Sequence, residues 1–204
     1  MRKTTSTLIA GIVVAGLLWS APTQAQTNDE KLEISAFAVN MSNIATGSNA
    51  VVQLTINAWS TAEERERLIT TVLEKGSDAL LKELQKAPVK GRFRIPTARQ
   101  PDPHHLALGI DVHYAWQSAL PDGGRRIVLA TDRYIGFNEA RSQPRSIDYP
   151  ITLVEIRADK DGNGQGKLAV ATKISFDKKK NQIELENYAT EPVRLNNVKI
   201  KVKK

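Results

Sequence analysis

The chain of 204 residues contains no cysteine. Disulfides, thiolate nucleophiles, sulfur-based metal sites and thioether lipid anchors are excluded together. Aromatic residues make up only 5% and histidines number three, so few nucleophile–base pairs are open to it. No apolar run approaches the ~20 residues of a membrane-spanning helix. Gly-x-Ser-x-Gly, His-Glu-x-x-His, phosphate-binding Walker loops and dinucleotide fingerprints are all missing. No repeat of about 20–50 residues occurs. Paired carboxylates of the glycosidase kind depend on spatial rather than sequential spacing and stay open. What is present is ordinary for a globular chain: 41% hydrophobic and 25% charged residues. That composition excludes a disordered, collagen-like or multi-pass membrane protein.

The first 25 residues have the layout of an export signal. Arg2 and Lys3 form a basic start, and Leu8 to Trp19 an apolar core of signal length. Thr23 and Ala25 put small residues at the −3 and −1 positions, which places cleavage after Ala25. A short membrane anchor is the competing reading. Residues 1–25 are thus expected to be a signal peptide and 26–204 a single β-rich globular domain, periplasmic or secreted and not membrane-spanning after cleavage. Taking Arg2 and Lys3 from 29 basic residues leaves 27 against 22 acidic, a formal +5. That excess favours weak attraction to anionic envelope polymers or lipid headgroups. It does not point to nucleic acid.

Strand patterns dominate the remainder. Leu32 to Val39 and Val51 to Trp59 alternate and predict a hairpin, with Val52, Leu54 and Ile56 on one face. One helical region follows, about 61–87. Ser60 and Glu63 have capping-box spacing, and Ile69, Val72, Leu73, Leu80 and Leu84 form one apolar stripe. Gly76-Ser77 breaks the stripe, so two short helices or a kink are expected before Pro88. Val89 to Ile95 returns to strand, with Lys90, Arg92 and Arg94 on a basic face.

Leu106 to Leu120 and Arg126 to Tyr134 flank Pro121-Asp122-Gly123-Gly124, a hairpin signal. A two-residue Asp122-Gly123 turn would put Trp116 opposite Leu129 and His113 opposite Asp132. Tyr114 and Trp116 would then share the core face with Ile110, Val112, Ile127 and Leu129. Tyr149 to Ala158, Leu168 to Phe176, Ile183 to Tyr188 and Val193 to Val202 complete the strands. Phe176 should face Ile183 and Lys173 should face Glu186. In the last strand the apolar phase slips by one, from Val193 and Leu195 to Val198 and Ile200, which predicts a bulge at Asn196-Asn197. The class is mainly β, α+β: an antiparallel sandwich or partly open barrel of about eight strands with one helical region.

Three groups of residues have chemical potential. Asp111, His113 and Asp132 are the candidate catalytic set, since carboxylates orient a histidine base or hold a divalent ion with it. Asp159, Asp161 and Asn163, at steps of two before Gly164, match the opening of a calcium loop; no cofactor is expected, with calcium at this loop the open alternative. The carboxylate expected at its twelfth position is absent, as Val170 stands there, and a Gly-rich turn over Asp159 to Gly166 uses the same residues. Finally, Lys199, Lys201, Lys203 and Lys204 end the chain, and Lys178-Lys179-Lys180 forms a basic turn. Both suit an anionic polymer, or simply a solvated edge that discourages aggregation.

Four segments, Ala58-Trp59-Ser60-Thr61-Ala62-Glu63-Glu64-Arg65, Leu120 to Arg133, Arg145 to Pro150 and Ile183 to Tyr188, resemble those of small secreted bacterial proteins with no assigned activity. That likeness spans most of residues 26–204 and implies no cofactor, substrate or catalytic residue. The expectation is an exported, non-catalytic binder of an envelope component, a partner protein or a small ligand. The alternative is a hydrolase, metal-dependent or His/Asp-based, using Asp111, His113 and Asp132.

Overall fold

In β1 (Leu32–Asn40) every second side chain, from Leu32 through Ile34 and Ala36 to Ala38, is buried, and those between face outward. This two-residue period is repeated around a closed antiparallel barrel. The computed structural model describes residues 30–41, 47–98, 105–133, 135, 151–169, 174–177, 182–185 and 193–203. Residues 1–25, the stretch 136–146, Lys178 to Lys180 and the expected Lys173–Glu186 pair lie outside the described residues.

The barrel strands are β1, β2 (Asn49–Ile56), β3 (Gly91–Arg94), β4 (Ile110–Ala119), β5 (Arg125–Thr131), β6 (Thr152–Ala158), β7 (Asn163–Ala169) and β10 (Val193–Val202). Each pairs with its neighbour in chain order, and β10 closes onto β1. The result is an up-and-down meander with no open sheet edge. Helices α1 (Ala62–Lys75) and α2 (Ser77–Lys86) are inserted between β2 and β3. Strands β8 (Ile174–Asp177) and β9 (Gln182–Leu185) form a separate ribbon between β7 and β10. The expected mainly-β, α+β class holds. The sheet is a closed barrel rather than a sandwich, and the helical region is two helices broken at Gly76. Among the described residues no helix is long and apolar enough to cross a membrane.

Eight strands enclose an interior just wide enough for side chains to fill or for one small ligand. Here the interior carries Leu32, Leu54, Ile56, Phe93, Ile127, Leu129, Ile156, Leu168 and Leu195, all fully buried and apolar. A second cluster lies outside the barrel. Leu68, Val72, Leu80 and Leu84 of the helices pack on Tyr114, Ala130, Ile151 and Leu153. Ala130 lets the helix pair approach the sheet closely, so β4 to β6 are covered on both faces around Tyr114, Ala130 and Leu153.

Several local expectations shift by one residue, each for a visible reason. The capping box is Thr61 with Glu64: the Glu64 N–H donates to Thr61 Oγ1 at 3.1 Å and the Thr61 N–H to Glu64 Oε2 at 2.9 Å. Ser60 is instead buried against β4, where its N–H donates to the Ala115 carbonyl and its Oγ accepts the Ala115 N–H. The β4–β5 loop has three residues, not two. The Gly123 N–H donates to the Leu120 carbonyl, and Gly123 sits at φ +82°. That is a type I turn closed by a left-handed residue. The pairs are therefore Trp116 with Val128 and Ala115 with Leu129. A bulge at His113 also divides β4, so Tyr114 and Trp116 leave the barrel interior and lie on the helix side.

The strand expected over Leu168 to Phe176 ends at Ala169 in the barrel, and β8 begins at Ile174 with Phe176 opposite Ile183. In β10 the bulge falls where expected: the register to β7 shifts between Leu195 and Val198, and Asn197 takes φ +50°.

Candidate functional site

His113 is the extra residue of the β4 bulge, between the pairs Val112–Thr131 and Tyr114–Ala130. Bulges re-aim side chains, and this one turns the imidazole toward the end of α2. Nδ1 lies 2.9 Å from the Ala87 carbonyl, which only accepts, so Nδ1 carries the proton. Nε2 then faces Asp132 Oδ1 at 3.6 Å. Both side chains are mostly buried, His113 at 11% and Asp132 at 17% exposure. Asp111 does not join them. Its Oδ1 accepts from Arg92 Nη2 at 2.9 Å and Nε at 3.2 Å, on the exposed surface. The bulge separates residues that simple alternation put on one face. The structure thus brings together two of the three predicted residues, with Nδ1 of the imidazole bonded to Ala87 and Nε2 3.6 Å from Asp132. A groove along α1, lined by Glu63, Glu66, Arg67, Thr70 and Glu74, contains none of the three.

The Asp159 loop is a tight turn. Asp159 Oδ1 accepts the N–H groups of Asp161 and Asn163, both at 2.9 Å. The Gly162 N–H donates to the Asp159 carbonyl, with Gly162 at φ +79°. Lys199 Nζ donates to Asn163 Oδ1 at 2.6 Å, placing an ammonium where a calcium ligand would look outward. This is the β4–β5 turn chemistry again: three loop residues, Asp before a left-handed Gly. Among the described residues no three His, Cys, Asp or Glu side chains are grouped to hold a metal ion.

Comparison of the chain with protein-family models, curated proteins and solved structures finds no match. The site is therefore read from its own geometry.

Two features escaped the sequence reading. Lys90, expected on an exposed basic face, is buried at 8% side-chain exposure, with Nζ 2.8 Å from Glu64 Oε2. Burial pushes the Glu64 carboxyl up, but the Lys90 ammonium and the Thr61 N–H outweigh it and hold the group below its ordinary value. The pair ties the start of α1 to the chain leaving α2. On β4, burial pushes the Tyr114 hydroxyl up to about 12, against the opposing pull of Arg65. The Arg65 guanidinium also stacks over Trp116, 5.3 Å from the ring centre. These groups fasten the helix pair to the barrel.

The second feature is the barrel wall that the helices leave uncovered, β10–β1–β2–β3. Its outward side chains include Arg92, Arg94, Arg194, Lys199 and Lys201, all exposed, against one carboxylate, Glu33, on these four strands. Arg92 keeps its Asp111 contact from β4, and Glu33 lies 3.8 Å from Lys203. The helices carry six acidic and five basic residues. Strands β4 to β7 carry Arg126, Arg157 and Lys167 outward against Asp111 and Glu155, and both arginines contact Glu155. The β10–β1–β2–β3 wall is therefore the more basic half of the sheet, beside a nearly neutral helix layer. Phe37 and Val51, directly paired across β1 and β2, stand outward on the same wall. The sequence held that signal: both occupy the strand phase that elsewhere carries polar residues.

Proposed function

We propose that the chain is an exported, non-catalytic domain that binds an anionic component of the cell envelope through the β10–β1–β2–β3 wall. The observation that carries this reading is the excess of positive charge on the open wall: five strand cations against Glu33, compared with Arg126, Arg157 and Lys167 against Asp111 and Glu155 on the outer face of β4 to β7. Clustered charge of one sign raises local counter-ion concentration and association rates far more than a dispersed +5 would. The export layout of residues 1–25 gives the wall its anionic partners. The barrel interior, filled by apolar side chains, supports surface binding over enclosure of a ligand.

The hydrolase reading has one observation in its favour, the 3.6 Å approach of His113 to Asp132. Against it, Asp111 is turned to Arg92 and the second imidazole nitrogen is used by Ala87.

The test is a titration of residues 26–204 with polyphosphate, followed by calorimetry at several salt concentrations. Binding should weaken steeply with salt, fall sharply in K199E/K201E, and survive unchanged in His113→Asn and in K82E/K86E on α2. Loss in the His113 variant, or equal loss in the α2 variant, contradicts the reading.

A further inference from the structure

The basic wall is not uniformly polar. Phe37, Val51 and Met41 are 39%, 45% and 47% exposed, and Val39 lies outward between Phe37 and Met41. Phe37 is opposite Val51, and Val39 is opposite Asn49 on one side and Arg194 on the other. The apolar residues thus gather where β1 meets β2, toward the 41–48 hairpin end. Cations flank them. Arg94 is opposite Gln53 and Arg92 opposite Thr55 on the β3 side, while Lys199 is opposite Ser35 and Lys201 opposite Glu33 on the β10 side.

A soluble polyanion needs only the cations. It offers no apolar phase, and leaving Phe37 and Val51 in water beside it gains nothing. A bilayer interface offers both: acidic headgroups for Arg and Lys, and an acyl boundary for aromatic and aliphatic side chains. Lysine and arginine also reach outward while their stems lie on apolar surface. An apolar patch beside a basic band is the arrangement such an interface selects, and charge complementarity fixes its sign.

Resting on the surface-binding reading above, we infer that the β10–β1–β2–β3 wall docks on a bilayer rich in anionic lipid headgroups, with Phe37, Val51 and Met41 seated at the headgroup boundary. Each basic residue near such a surface adds to the attraction, and the apolar residues make binding outlast moderate salt.

The experiment is co-sedimentation of residues 26–204 with vesicles of phosphatidylcholine alone or mixed with phosphatidylglycerol. Binding is expected only with phosphatidylglycerol. K199E/K201E should lower the partition coefficient by more than about tenfold. F37S/V51S, exposed positions whose folding is checked by thermal melting, should weaken vesicle binding while leaving polyphosphate binding intact. Equal binding to both vesicle types, or no effect of F37S/V51S, overturns the inference. Polyphosphate binding without vesicle binding overturns the bilayer assignment and leaves the anionic-component reading standing. Binding to neither removes both.

Discussion

Lys90 and Glu64 meet where α1 begins and α2 has ended, with 8% and 19% of their side chains exposed. Removing one partner strands the other in a low-dielectric site. Glu64→Gln should therefore cost about 2–3 kcal/mol, a little under the range for fully buried pairs because Glu64 keeps some solvent. The sign with pH follows from the lowered carboxyl. Its stabilisation is complete above the ordinary carboxylate range and is lost as pH falls through the folded value. Urea midpoints for the wild type and Glu64→Gln should differ at neutral pH and converge in acid; a gap that persists in acid contradicts this. Tyr114 works in the opposite direction. Its hydroxyl is held up to about 12, so its stabilisation is whole below its unfolded value and is lost as pH rises toward the folded one. Tyr114→Phe should flatten the alkaline fall in stability measured by the same method.

Elements are set by turns and bulges more than by strand propensity. Gly123 and Gly162 occupy the same left-handed position in two similar loops, yet their surroundings differ. A Cβ on Gly123 meets nothing within 4 Å, whereas one on Gly162 comes 2.7 Å from the Ile200 carbonyl oxygen. Gly123→Ala should cost about 1 kcal/mol, the left-handed penalty alone. Gly162→Ala should cost visibly more, since β10 must shift, and thermal melts of the two variants rank them directly. The same reasoning explains what was legible in the sequence. The β1–β2 hairpin, the helix break at Gly76 and the Asn196-Asn197 bulge each left a mark in period or composition. The bulge at His113 left none, because Tyr114 and Trp116 suit a helix-covered outer face as well as a barrel interior. That hidden residue split Asp111 from His113, so the candidate site was half legible. Lys90 was misplaced for a related reason: alternation assigns a face, but not the partner that buries it.

At the scale of the molecule, the helix pair gives the barrel two unlike sides. One wall is closed by Leu68, Val72, Leu80 and Leu84. The other is left with cations and with Phe37 and Val51. Because the chain has no cysteine, a single introduced thiol reports from one known place. The most direct measurement attaches an environment-sensitive fluorophore at Gln53→Cys, on the open wall, or at Gln85→Cys, on α2, and adds phosphatidylglycerol vesicles. The emission of the label at position 53 should shift to the blue and that at 85 should stay unchanged. A shift at 85 alone, or at neither position, would contradict docking through the β10–β1–β2–β3 wall.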